Sequence, residues 1–231
     1  MSAQEDSASA ARPGPLEDVL RVAGARMVQR AGHRIAADFG SVGGEVAVCR
    51  HAVGLVDRCD RRSFVLRGEA AALDATTVVM AGRRVGRGSA VHLDEGWLCR
   101  LTPEELLVRC EAREAGRCRE RLVAAAPGAT AIGDASDEHA AVGLVGPHAE
   151  DLLRGLGLPE ATPIARVAVH GVPAILLRED EHRFEVVMAP DRAREVWEAL
   201  REAGRPLGIS CVGCEALAEV QAATYRALPA H

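Results

Sequence analysis

Apolar positions along the chain switch between helical and alternating spacing in an order that returns once. In PLEDVLRVAGARM, Leu16, Val19 and Leu20 recur at helical spacing, with Pro15 at the start and Gly24 past the end. GEVAVCRHAVGLVD predicts a helix running into a strand, and RSFVLRGEAAALDATTVV predicts a strand, a break at Gly68 and a short helix. In SAVHLDEGWLCRLTPEELLVRC, apolar and polar residues alternate on both sides of Asp94, Glu95 and Gly96. That is a hairpin pattern, in which Asp caps its own backbone and Gly supplies a positive φ. A helix in EAREAGRCRERLVAAAPG follows.

The order then returns. AAVGLVGPHAEDLLRGLG reads as strand, Gly146 and helix, with Pro147 suited to a first helical turn. RVAVHGVPAILLREDEHRFEVVMAP supplies alternating strands broken at Gly-Val-Pro and Asp-Glu-His. DRAREVWEALREAG is an amphipathic helix with Asp191 as N-cap and Gly204 past its end. Gly68 and Gly146 stand 78 positions apart, and Val108 and Val187 stand 79 apart. Two β-α-β-β-β-α-like repeats are therefore expected, about residues 60–128 and 138–205, related by a pseudo-twofold around a central cavity in an α+β fold. A doubly wound parallel sheet would need strict alternation of strand and long helix, which is missing. MSAQEDSASAARPGP, residues 1–15, reads as a disordered tail, and residues 16–231 as one domain.

Composition narrows the chemistry. All 28 basic residues are arginine, so lysine Schiff bases and phosphate-loop lysines are excluded, and asparagine is absent too. A net charge of −5, with arginines interspersed among acids, argues against a nucleic-acid partner. No run approaches the ~20 apolar residues of a membrane span. Seven cysteines, an odd number without a secretory leader, point to reduced thiols in a cytoplasmic protein. Cys211 and Cys214 form a C-x-x-C before the last helix; a reactive thiolate at a helix N-terminus and a pair of small buried residues both remain open. A metal site would need a second such pair, and none exists at that spacing. The histidines are isolated, His92 being placed beside Asp94 on the hairpin and expected on a solvated face. Asp57, Cys59 and Asp60 in GLVDRCDRRS offer either solvated charges at a strand entry or an acid and a thiol beside substrate.

GARMVQRAGHRIAADFGSVGGEVAVCRHAVGLVDRC, RSFVLRGEAAAL, AVGLVGPHAEDLL and FEVVMAPDRAREVWEALREAGRPLGIS resemble, in the same order, segments of the glycine cleavage system T protein, an aminomethyltransferase that uses tetrahydrofolate. The similarity runs from about Gly24 to Tyr225, in a short form without the family's C-terminal barrel domain, the layout also of folate-binding iron–sulfur-assembly proteins and of the γ subunit of heterotetrameric sarcosine oxidase.

The resemblance implies a pterin in the cavity between the repeats and a hairpin aspartate near the reactive folate nitrogen. Asp94 falls there, with Glu95 as the neighbouring acid, on a hairpin tip several residues shorter than in T proteins. The glutamate that binds the pterin falls at Glu181, and the aromatic-Glu pair after it at Phe184 and Glu185. Two family contacts are replaced: an asparagine falls near Arg109 or Cys110, and an arginine near Cys214, which the resemblance sets in the cofactor channel. The lysine signature of the iron–sulfur-assembly branch is absent.

Three functions stay open on the sequence. The first is a tetrahydrofolate-dependent, aminomethyltransferase-like one-carbon transferase acting on a small molecule, with a degraded folate site. The second is a folate-independent enzyme doing acid–base or thiol chemistry in the same cavity. The third is a non-catalytic subunit like the sarcosine oxidase γ subunit, with a protein partner or as a homo-oligomer.

Overall fold

The structure, a computed structural model, describes residues 13–30, 32–126, 128, 130–159 and 162–227. The tail expected over residues 1–15 lies outside them as far as residue 12. In chain order the elements are α1 (Glu17–Val22), β1 (Arg26–Arg30), β2 (His33–Asp38), α2 (Val42–His51), β3 (Val53–Asp57), β4 (Arg61–Arg67), α3 (Ala70–Ala81), β5 (Ala90–Leu93), β6 (Gly96–Thr102), β7 (Glu105–Glu111) and α4 (Ala115–Ala125). They continue with β8 (Ala131–Asp134), β9 (Ala140–Val145), α5 (Ala149–Gly155), β10 (Ile164–Val169), β11 (Val172–Arg178), β12 (Arg183–Met188), α6 (Ala193–Ala203), β13 (Ile209–Val212) and α7 (Cys214–Ala227).

Besides the β1–β2 ribbon there are two larger sheets. One has the order β5-β6-β7-β4-β8 and the other β10-β11-β12-β9-β3-β13. The order β-α-β-β-β-α thus occurs twice, β4 to α4 and β9 to α6, and the four strands of each unit lie in the same spatial order. The faces agree as well. Phe64 and Leu66 of β4, and Leu106, Val108 and Cys110 of β7, join Leu73, Met80, Cys118 and Leu122 in a core under α3 and α4. Val142 and Leu144 of β9, with Phe184, Val186 and Met188 of β12, do the same under α5 and α6, where Trp197 is fully buried. Each of these strand residues has its counterpart 78 positions away, so Val108 matches Val186; the 79-residue match to Val187 pairs opposite faces of the sheet.

The alternate residues point the other way. Val65, Cys99, Leu101 and Leu107 of the first sheet meet Ala141, Ile164, Ile175, Leu177 and Val187 of the second. The molecule is accordingly layered helix, sheet, sheet, helix, with an apolar seam between the sheets. Along β7 the inward positions run Leu107, Arg109, Glu111, and along β4 they run Val65, Ser63, Arg61. The seam turns from apolar to charged toward one end, and there the site lies.

Candidate active-site cavity at the charged end of the seam

A cavity of about 880 Å³ opens there. Its wall takes residues from the start of β4, the β5–β6 turn, the end of β7, the strap 112–116, the β11–β12 connection and α7. Leu93 pairs with Gly96, so Asp94 and Glu95 form a two-residue turn. Gly96 has φ +155, and a Cβ there would stand 2.1 Å from the Arg109 carbonyl oxygen. Glycine is what lets the turn lie on the β7 backbone. The two adjacent acids then part. Asp94 is exposed and lines the cavity. Glu95 also lines it but is 2% exposed, accepting a hydrogen bond from Arg121 and standing 3.5 Å from Arg117, both on α4. The Arg121 hydrogen bond holds the Glu95 carboxyl below its ordinary range. Glu95 anchors the turn to α4, and Asp94 is the acid presented to the cavity. His92 is exposed and lines the cavity, its ring edge-on to Trp97 at 5.0 Å.

The floor is an ion-pair network that no sequence motif announced. Arg109 donates to both Glu185 oxygens, Nη2 to Oε1 at 2.6 Å and Nε to Oε2 at 3.3 Å, and to Ser63 at 2.6 Å. Arg61 donates to Glu185 at 3.1 Å, to Glu179 and to Glu111 at 3.2 Å, and Arg58 donates to Glu111 at 2.8 Å. Burial pushes the Glu185 carboxyl up, but the Arg109 and Arg61 charges outweigh it and hold it at about 2. Glu111 is likewise lowered, burial being outweighed by Arg58 and Arg61. Polar residues at inward positions of otherwise apolar strands were the readable sign of this network.

The remaining expected residues divide. Glu185 faces the seam, is fully buried and does not line the cavity; it fixes the two arginines that do. Glu181 is exposed on the β11–β12 connection and is not among the lining residues, whereas Glu179 and Arg183 are. Asp60 lines the cavity, but Asp57 and Cys59 do not. Asp57 is buried with Oδ2 unpaired, and burial raises its carboxyl to about 6. Cys214 lines the cavity at the first turn of α7. The buried Glu45 places that turn, accepting from Phe39 N at 2.6 Å and Gly213 N at 2.8 Å. Burial raises the thiols of both Cys211 and Cys214, so the helix N-terminus does not activate them. Among the described residues no group of three or more His, Cys, Asp or Glu could hold a metal, and no helix is long and apolar enough to cross a membrane.

This α+β architecture is that of the aminomethyltransferase T of the glycine cleavage system of Bartonella henselae: the TM-score is 0.73 at 21% identity over 90% of this chain and 61% of that one. A chain of the heterotetrameric sarcosine oxidase of Corynebacterium sp. U-96 matches with TM-score 0.61 at 18% identity, over 86% of this chain and 97% of that one. The GCVT N-terminal domain family matches residues 16–225, and the chain belongs to it. Curated relatives include an aminomethyltransferase of Thermus thermophilus, 34% identical over 84% of this chain and 62% of the relative, and one of Streptomyces avermitilis, 30% identical over 88% and 60%. The chain spans about 60% of the length of these relatives.

Proposed function

We propose that the chain is an aminomethyltransferase-like one-carbon transferase that takes tetrahydrofolate into the cavity, with a folate site rebuilt around arginine–carboxylate pairs. The observation that carries this reading is that Asp94 shares one cavity with the carboxylates Glu111 and Glu179 and with Trp97. The residues fit such a ligand. The volume lies within the ~300–1,000 Å³ usual for small-molecule sites, and partly exposed Trp97 supplies an apolar face. The Glu111 side chain is 35% exposed and keeps lone pairs beyond those taken by Arg58 and Arg61, enough to receive an amino-pyrimidine edge. In this reading Glu111, with Glu179 behind it, takes the part that the resemblance implied for Glu181. Bound tetrahydrofolate supplies the nitrogen that carries the one-carbon unit. Asp94 holds or moves a proton at that nitrogen, for which its carboxylate must come within ~3 Å or one water. Glu95 keeps the turn in place, Glu185 keeps Arg109 and Arg61 in place, and Cys214 is wall.

Calorimetric titration with tetrahydrofolate tests this. Micromolar binding by the wild type is expected. Glu111→Gln loses a charge-assisted bond of ~1.5–3 kcal/mol, so binding weakens at least about tenfold. Glu181→Ala leaves binding unchanged, and Asp94→Asn binds but fails to turn over. No binding by folded wild type would reject the reading. A specific observation favours a second one, a cavity serving another small molecule by acid–base chemistry: Glu181 stands outside the wall, and Arg109 or Cys110, and Cys214, stand where the resemblance implies asparagine and arginine. Folded protein that ignores folate would support it.

A further inference from the structure

Two of the seven thiols touch. Cys110, near the end of β7, and Cys118, in α4, are 1% and 0% exposed, and their thiols share a hydrogen bond. Cys110 lines the cavity, and so do residues 112–116 of the strap that joins the two cysteines. The hairpin meets the same corner. Gly96 pairs with Cys110, and a Cβ on Gly96 would stand 2.8 Å from the Cys110 Cα. Glu95 is held by Arg117 and Arg121, which flank Cys118.

We propose that Cys110 and Cys118 form a reversible disulfide under oxidation by a peroxide, which staples β7 to α4 and fastens the cavity-lining strap 112–116 between them. The step balances. The Cys110 sulfur attacks one peroxide oxygen, the other leaves as water, and a sulfenic acid remains; the Cys118 sulfur displaces its hydroxyl as a second water. Two thiols and one hydrogen peroxide give one disulfide and two waters, and a dithiol reverses it. Position favours this pair, because Cys110 borders the cavity, as Cys214 also does, and Cys118 shares its core cluster. The shared hydrogen bond lowers the Cys110 thiol, with the Arg109 charge assisting, and raises that of Cys118, so Cys110 is the attacking sulfur; burial raises those of Cys49, Cys59, Cys99, Cys211 and Cys214.

The inference does not depend on what the cavity binds, and its test uses no cavity ligand. Full-length protein is reduced, freed of dithiol, treated with equimolar hydrogen peroxide and mapped by mass spectrometry without reduction. The expected result is loss of two of the seven thiols into one Cys110–Cys118 cross-link that dithiothreitol reverses. Amide exchange of residues 112–116 should slow in the oxidised form only, and not in Cys118→Ala. A dominant Cys211–Cys214 bond, sulfinic acid at Cys110, seven intact thiols, or a cross-link that leaves strap exchange unchanged would each overturn the proposal. If Cys118→Ala does not fold, reduced and oxidised wild type compared side by side decide it.

Discussion

Two buried carboxylates a few residues from the cavity have opposite electrostatic fates. Glu185 meets Arg109 and Arg61, and its carboxyl sits at about 2, below the ordinary 4.5. Its contribution to stability is therefore present above pH 4.5 and is lost as pH falls through about 2. Removing it leaves the buried Arg109 guanidinium without a counter-charge and takes one of three carboxylate partners from Arg61. Glu185→Gln should cost about 3–5 kcal/mol in urea unfolding at pH 7, and the loss should shrink on acidification. Asp57 has one unpaired oxygen, and burial raises its carboxyl from 3.8 to about 6. The sign reverses here: stability is fully present below pH 3.8 and is lost as pH rises through about 6. Asp57→Asn should gain on the wild type by about 2.4 kcal/mol between pH 4 and pH 7, read from unfolding curves at both pH values. A pH-independent difference would show that Asp57 is not titrating in the fold.

At the scale of an element, the β5–β6 hairpin explains how a tip of two residues still reaches the cavity. Glu95 ties it to α4 through Arg121 and Arg117, and Gly96 seats it on β7. Asp94 is aimed by these two neighbours rather than by the length of the hairpin. Gly96→Ala places a Cβ into the Arg109 carbonyl in a backbone conformation that L side chains rarely adopt. It should destabilise the protein by about 2 kcal/mol or more, measured by thermal unfolding, and displace Asp94 from the cavity. A variant as stable as wild type would mean that β7 can move away at no cost. The same element shows what a turn pattern conveys. Asp-Glu-Gly announced a turn, but which acid faced the cavity depended on α4, whose arginines are brought beside Glu95 only by packing.

At the scale of the molecule, the two repeated units share one seam, apolar along Val65, Leu107, Ile175, Leu177 and Val187 and ionic through Arg61, Arg109 and Glu185. Neither unit can open without exposing the inner face of the other, so calorimetry should show one cooperative unfolding transition; two resolved transitions would separate the units. The repeat itself was legible in the chain, because periods of two and of three to four residues, punctuated by Gly68, Gly146 and Gly204, are local properties set by backbone geometry. So were the hairpin and the candidate acid at its tip. The assignment of carboxylates was not legible. Glu181, Glu185 and Glu179 stand within seven positions of one another, yet the first is exposed, the second is buried against arginines, and the third lines the cavity. Sequence spacing determined which face of a strand each residue took. Only the tertiary structure decided what lay opposite, because the partners that neutralise a buried charge come from the other sheet, 76 residues away for Arg109 and 124 for Arg61.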